Sequence, residues 1–217
     1  MVWTLGPAAA SPAPPPAAPE QRAADAEGDP ADDQRPDRER TGDGEHELDE
    51  ELDDIARLLG GVALVLTDGF LPELALPLCR EARARGIPVV LDGGSWKPWS
   101  GELVPHVDCA IVSERFFPGG RKAPDVLAAL HALGPKLAAV TRGERALSWS
   151  DGARRGEIVP PQVAAIDTLG AGDVFHGAFC HYRAAGADFP GALERAAEIA
   201  AQSCRHFGTR AWIAERA

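Results

Sequence analysis

No stretch of this 217-residue chain approaches the roughly 20 consecutive apolar residues that a membrane-spanning helix needs. The opening Met1-Val-Trp-Thr-Leu-Gly-Pro7 lacks the basic flank and unbroken apolar run of a secretory signal, so the cytoplasm is the expected compartment. Lysine and arginine form no stripe or cluster, which removes nucleic acid and anionic membrane surfaces from the expected partners, since phosphate-backbone binding needs grouped positive charge. Cysteine is sparse. Cys79, Cys109, Cys180 and Cys204 contain no C-x-x-C pair and no histidine at ligand spacing, so neither a zinc site nor a disulfide framework is expected.

The net charge of −11 is unevenly spread. Residues 1–50 hold thirteen acids against four arginines, which leaves the rest of the chain nearly neutral. Residues 7–46 are dominated by Pro, Ala, Asp, Glu, Arg and Gly, with almost no large apolar side chain. Such a segment cannot bury enough surface to offset the entropy of ordering, so residues 1–46 are expected to be a disordered tail and 47–217 the folded part. Order is expected from Glu47, where Leu48, Leu52, Ile55 and Leu59 recur at helical spacing before Gly60-Gly61.

Short apolar runs then alternate with helical patterns. Strands are expected at Val62–Leu66, Ile87–Leu91, Cys109–Val112 and Leu137–Thr141, with helices at Glu73–Arg85 and Pro124–Leu133 between them. Continuous Val/Ile/Leu/Ala runs joined by helices indicate a parallel sheet covered on both faces. Asp151-Gly152 between Ala146–Trp149 and Gly156–Val159 predicts a β-hairpin. Two helices, Ala171–Ala185 and Gly191–Phe207, close the chain. The expected architecture is a doubly wound, mostly parallel α/β sheet with helices on both faces, a fold that binds ligands beyond the C-terminal ends of its strands.

The chemistry-bearing stretch is Asp167-Thr-Leu-Gly-Ala-Gly-Asp173 and its continuation to Phe179. Gly170, Ala171 and Gly172 open a helix, where unpaired N–H groups and the positive end of the helix dipole favour an anion. Asp173 beside them would not help to hold phosphate. It either caps the helix or accepts the proton of an attacking hydroxyl.

Over its whole length this stretch resembles the C-terminal hallmark of PfkB-family, ribokinase-like carbohydrate kinases. The resemblance implies that Gly170, Ala171 and Gly172 form an anion hole for the transferred phosphate and that Asp173 is the catalytic base. It also implies that Asp167 and Thr168 help to bind a monovalent cation. Ala139-Val-Thr-Arg-Gly-Glu144 resembles the family's T-x-G turn near the nucleotide phosphates, which makes Thr141 and Gly143 candidate ATP contacts. Ala200–Gly208 resembles the helix and turn that flank the adenine, which adds Ser203 and Gly208.

Two departures accompany the resemblance. Where many members carry N-x-x-E, this chain has Ser113-Glu-Arg-Phe116, so Glu114 only loosely matches the magnesium-linked acid. The family's N-terminal half, with its sugar-binding groups and β lid, has no counterpart in residues 1–50. The resemblance therefore implies ATP- and magnesium-dependent phosphorylation of a sugar or sugar-like alcohol by a truncated or split enzyme, with self-association or a missing half as its partner. The rival reading is a non-catalytic nucleotide- or phosphate-binding remnant. Asp92 either supports the fold or touches a ligand, His176 either lines the site or is an ordinary helix histidine, and Trp96 and Trp99 either stack on a ligand or pack.

Overall fold

A computed structural model of the protein describes residues 2–4 and 55–215. Seven strands lie side by side in chain order: β1 (Val2–Thr4), β2 (Val65–Thr67), β3 (Val89–Gly93), β4 (Cys109–Ser113), β5 (Leu137–Arg142), β6 (Arg145–Ser150) and β7 (Arg155–Ile158). β2 to β5 are mutually parallel, and β1, on the outer edge of β2, is antiparallel to it. β6 and β7 form the expected hairpin, whose turn is closed by the Asp151 carboxylate accepting from the N–H groups of Ala153 and Arg154 at 3.1 and 2.6 Å.

The continuous apolar runs are explained by burial on both faces. Along β3, Val89 and Leu91 enter one core while Val90 enters the other; in β4, Ala110 and Val112 oppose Ile111; in β5, Ala138 and Val140 oppose Ala139. Successive strand side chains point to opposite sides, so a sheet covered twice has no polar register. The crossovers cover the first face with α1 (Pro72–Ala84), α2 (Ser100–Leu103) and α3 (Val126–Leu133), joined by Ile55 and Leu59. The second face belongs to the last two helices, α4 (Ala171–Ala184) and α5 (Phe189–Ser203), which wedge Phe179 against Phe189 with ring centroids 5.9 Å apart.

Helix boundaries follow local chemistry. Asp125 caps α3 by accepting from the Ala128 N–H at 3.0 Å, and Asp188 caps α5 by accepting from the Gly191 N–H at 3.0 Å. α5 ends at Ser203 rather than at Phe207, because the Cys204 carbonyl accepts from the N–H groups of Ile166 and Asp167 instead of continuing the helix. The first strand starts three residues later than its apolar run, since its partner β3 begins only at Val89. Val2–Thr4, inside the segment expected to be disordered, is the edge strand β1. The remainder of that tail and residues 47–54 of the helix expected before Gly60-Gly61 lie outside the described residues, while residues 55–58 are helical.

Candidate active site

The chain beyond β7 returns across the C-terminal ends of the parallel strands and encloses a cleft of about 450 Å³ between the β5–β6 turn, the start of α4 and the end of α5. Its wall at Pro160–Val163 is fastened to the turn through Gln162, whose Nε2 donates to the carbonyls of Glu144 and Pro160 at 3.1 and 3.3 Å. Leu147, Val163, Phe175, Ala197 and Ala200 give the cleft an apolar lining, and Thr141, Gly143, Thr168, Ala171 and Gly172 supply small or polar groups at one end. A mostly apolar slot with a few convergent polar groups suits an aromatic ring carrying an anionic tail.

That end is built by the turn into α4. Asp167 Oδ1 accepts from the Leu169 N–H at 2.9 Å, and Oδ2 accepts from the Gly208 N–H at 2.9 Å. These two backbone donors, Leu169 first, hold the Asp167 carboxyl below its ordinary pKa. Gly170 then takes a left-handed conformation with φ of +73°, and a Cβ there would lie 3.0 Å from Thr209 Cγ2. The Ala171 N–H returns to the Thr168 carbonyl at 3.2 Å and the Val174 N–H to the Gly170 carbonyl at 2.9 Å. The N–H groups of Gly172 and Asp173 are left without an acceptor among the described residues, the condition for anion binding at a helix start.

Asp173 is exposed in the first turn of α4, and the residue preceding that helix is Gly170, with no side-chain cap. The carboxylate therefore does not perform the capping role that was its bland alternative. Asp92, at the end of β3, lies within electrostatic reach of it. Burial raises the Asp92 pKa, Asp173 and Asp68 push in the same direction, and His176 opposes them. His176 is buried, with Nδ1 2.8 Å from the Gly172 carbonyl oxygen and 3.3 Å from Asp92 Oδ2, and Nε2 3.3 Å from the Ile111 carbonyl oxygen.

The sequence-derived residues thus divide. Thr141, Gly143, Thr168, Ala171 and Gly172 line the cleft, and Gly170, Asp173 and Asp167 belong to the turn and first helical residues beside it. Gly208 acts as the donor that clasps Asp167. Ser203 is turned away: its hydroxyl donates to the Ala200 carbonyl of its own helix at 2.8 Å. Glu114 is engaged by Arg145, whose Nη2 lies 2.6 Å from both carboxylate oxygens. Trp96 packs edge-on against Phe116 with centroids 5.4 Å apart, and Trp99 Nε1 donates to the Gly69 carbonyl at 2.7 Å, so both have structural work. The Pro160–Val163 wall went unread in the sequence. Its one signal is Pro160-Pro161, a rigid pair that carries the chain out of the hairpin.

The family model described as pfkB family carbohydrate kinase matches residues 40–216. The chain is 27% identical over 157 residues to the ribokinase of Bacillus subtilis, covering 71% of this chain and 53% of that protein. A crystal structure of a ribokinase candidate from Agrobacterium tumefaciens superposes with a TM-score of 0.63 at 34% identity, covering 74% of this chain and 53% of that one. A ribokinase II candidate from E. coli, solved with ATP and Mg2+, has a TM-score of 0.56 at 21% identity, covering 63% and 48%, a likeness of fold alone. The chain spans about half the length of the relatives it matches.

Proposed function

Because the chain belongs to the pfkB family of carbohydrate kinases, we propose that it transfers the terminal phosphoryl group of ATP to a hydroxyl of a sugar or sugar-like alcohol. The observation that carries this reading is the Asp173 carboxylate, not engaged as a helix cap, beside the open N–H groups of Gly172 and Asp173. In the proposed step the substrate hydroxyl oxygen bonds to the γ-phosphorus while the bond from that phosphorus to the bridging oxygen of ADP breaks. Asp173 takes the hydroxyl proton, and the turn holds the equatorial oxygens of the transferring group.

The apolar slot between Val163 and Ala200 fits the adenine, and Thr141 and Gly143 border the path to the phosphates. Magnesium enters with the nucleotide, where it neutralises phosphate charge. Among the described residues no cluster of three or more His, Cys, Asp or Glu side chains is arranged to hold a metal ion by itself. A monovalent cation fits Asp167 only through the remaining lone pairs, since each carboxylate oxygen already accepts one N–H. We place the protein in the cytoplasm, in keeping with its four free thiols; among the described residues no helix is long and apolar enough to cross a membrane.

The test is Asp173→Asn, which keeps the size of the side chain and removes its ability to accept a proton. Turnover is expected to fall by roughly 10²–10⁴-fold with ATP affinity nearly unchanged. The chain is assayed alone and mixed with the N-terminal half of a sugar kinase. Near-normal turnover in the variant would remove Asp173 from the mechanism. If the wild-type chain binds ATP yet phosphorylates no sugar in either setting, it is a nucleotide-binding remnant.

A further inference from the structure

His176 is buried in α4, and the phosphoryl-transfer reading leaves it without a role. It occupies an otherwise apolar stripe with Phe175, Phe179 and Cys180. Its surroundings are unusual for a packing residue, because each oxygen facing the ring belongs to a different element: Gly172 on α4, Asp92 on β3 and Ile111 on β4. All three oxygens can only accept, so the tautomer with its proton on Nδ1 bonds Gly172 and faces Asp92. The 2.8 Å contact is the shortest of them and falls on Gly172, whose own N–H is one of the open donors of the phosphate-facing turn.

We propose that His176 is a positioning residue for that turn: seated against β3 and β4, its ring holds the Gly172 carbonyl and so keeps the Asp173 N–H, which shares that peptide plane, aimed into the cleft. A peptide plane fixed at its carbonyl cannot rotate its neighbouring N–H away. The first turn of a helix otherwise frays, since its amides lack intrahelical acceptors. His176 therefore ties the rigid parallel strands to the only part of the cleft that must meet phosphate. For the identity of the ligand this inference rests on the kinase reading; for the geometry it does not.

Two polar variants separate the contacts. His176→Asn keeps a donor near the place of Nδ1 and thus the bond to Gly172, whereas His176→Gln carries its amide out toward the place of Nε2 and Ile111. In the full chain, binding of ATP and of adenosine is measured by calorimetry, and the backbone order parameter of the Asp173 N–H by NMR relaxation. Adenosine should bind equally to all three proteins. The Kd for ATP should stay within about threefold of wild type in His176→Asn and rise about tenfold or more in His176→Gln, the worth of one charge-assisted hydrogen bond. The Asp173 order parameter should fall in His176→Gln alone. Parallel weakening of ATP and adenosine would show a merely structural residue and overturn the proposal, as would a His176→Gln protein indistinguishable from wild type. If the wild-type chain binds neither nucleotide, the kinase reading fails and the order parameter decides: an unchanged value in His176→Gln overturns the positioning role, and a lower one supports it.

Discussion

Replacing Gly172 by alanine should make the protein more stable and a poorer binder of ATP. Gly172 lies inside α4 without a positive φ, and a Cβ built on it meets nothing within 4 Å, so the fold itself does not demand glycine there. Removing a glycine from a helix is worth about 0.5–1 kcal/mol. For a folded part of this size that corresponds to a rise in Tm of roughly 1–4 °C. The same methyl group would stand on a residue that lines the cleft, where phosphate oxygens would approach the backbone N–H groups. Losing one hydrogen bond to a charged group costs about 1.5–3 kcal/mol, or roughly 10- to 150-fold in Kd. Gly170→Ala supplies the contrast. Its φ of +73° and the Thr209 methyl 3.0 Å from the new Cβ make alanine strained. A left-handed alanine costs about 1–2 kcal/mol, offset in part by about 0.4–1 kcal/mol from a stiffer unfolded chain. Its Tm should therefore fall. Scanning calorimetry and ATP titration of both variants test the reasoning. If Gly172→Ala lowers the Tm, or leaves ATP binding intact, the turn does not hold phosphate as described.

Two further outcomes follow from the site. Asp167 has a depressed pKa, so its contribution is present above its ordinary value of 3.8 and is lost as pH falls through the lower folded value. Asp167→Asn should accordingly loosen the Ile166–Gly170 loop at neutral pH, and the difference from wild type, followed by limited proteolysis, should shrink below about pH 4; a difference that persists in acid would mean that charge is irrelevant to the clasp. Thiol labelling should select Cys204, which lines the cleft, and ATP should protect it. Cys79 and Cys180 are pushed up to about 12 by burial and Cys109 is raised as well, so these three should react only on unfolding, and modification of any of them before Cys204 would contradict the packing.

The central strands and the hairpin were legible because their signals are local. Leu137–Arg142 has an apolar run of the right length, and Asp151-Gly152 can close a turn by itself. The glycine turn before Asp173 was legible for the same reason. Other features depend on distant partners. The Ile111 carbonyl that faces His176 is 65 residues away, and Gly208 meets Asp167 across 41. Ser203 looked available for a ligand because no pattern distinguishes a hydroxyl bonded to its own helix from one that is free. The four-residue helix Ser100–Leu103 was unread, since one turn is too short to establish a period.

From β2 onward, neighbours in the sheet are neighbours in the chain, and this ordering has a temporal meaning. On a ribosome each strand emerges beside a partner that has already been made, so the sheet can extend at one growing edge without waiting for remote sequence. The second apolar face is the exception. Val90, Ile111 and Ala139 are synthesised well before α4 and α5, which cover them. Until those helices dock, the nascent domain presents an uncovered apolar surface, a state prone to association. The same docking event delivers Gly170–Asp173 and His176 to the strand ends. The turn proposed to hold phosphate is thus set in place together with burial of the last greasy surface, and a half-assembled chain has neither.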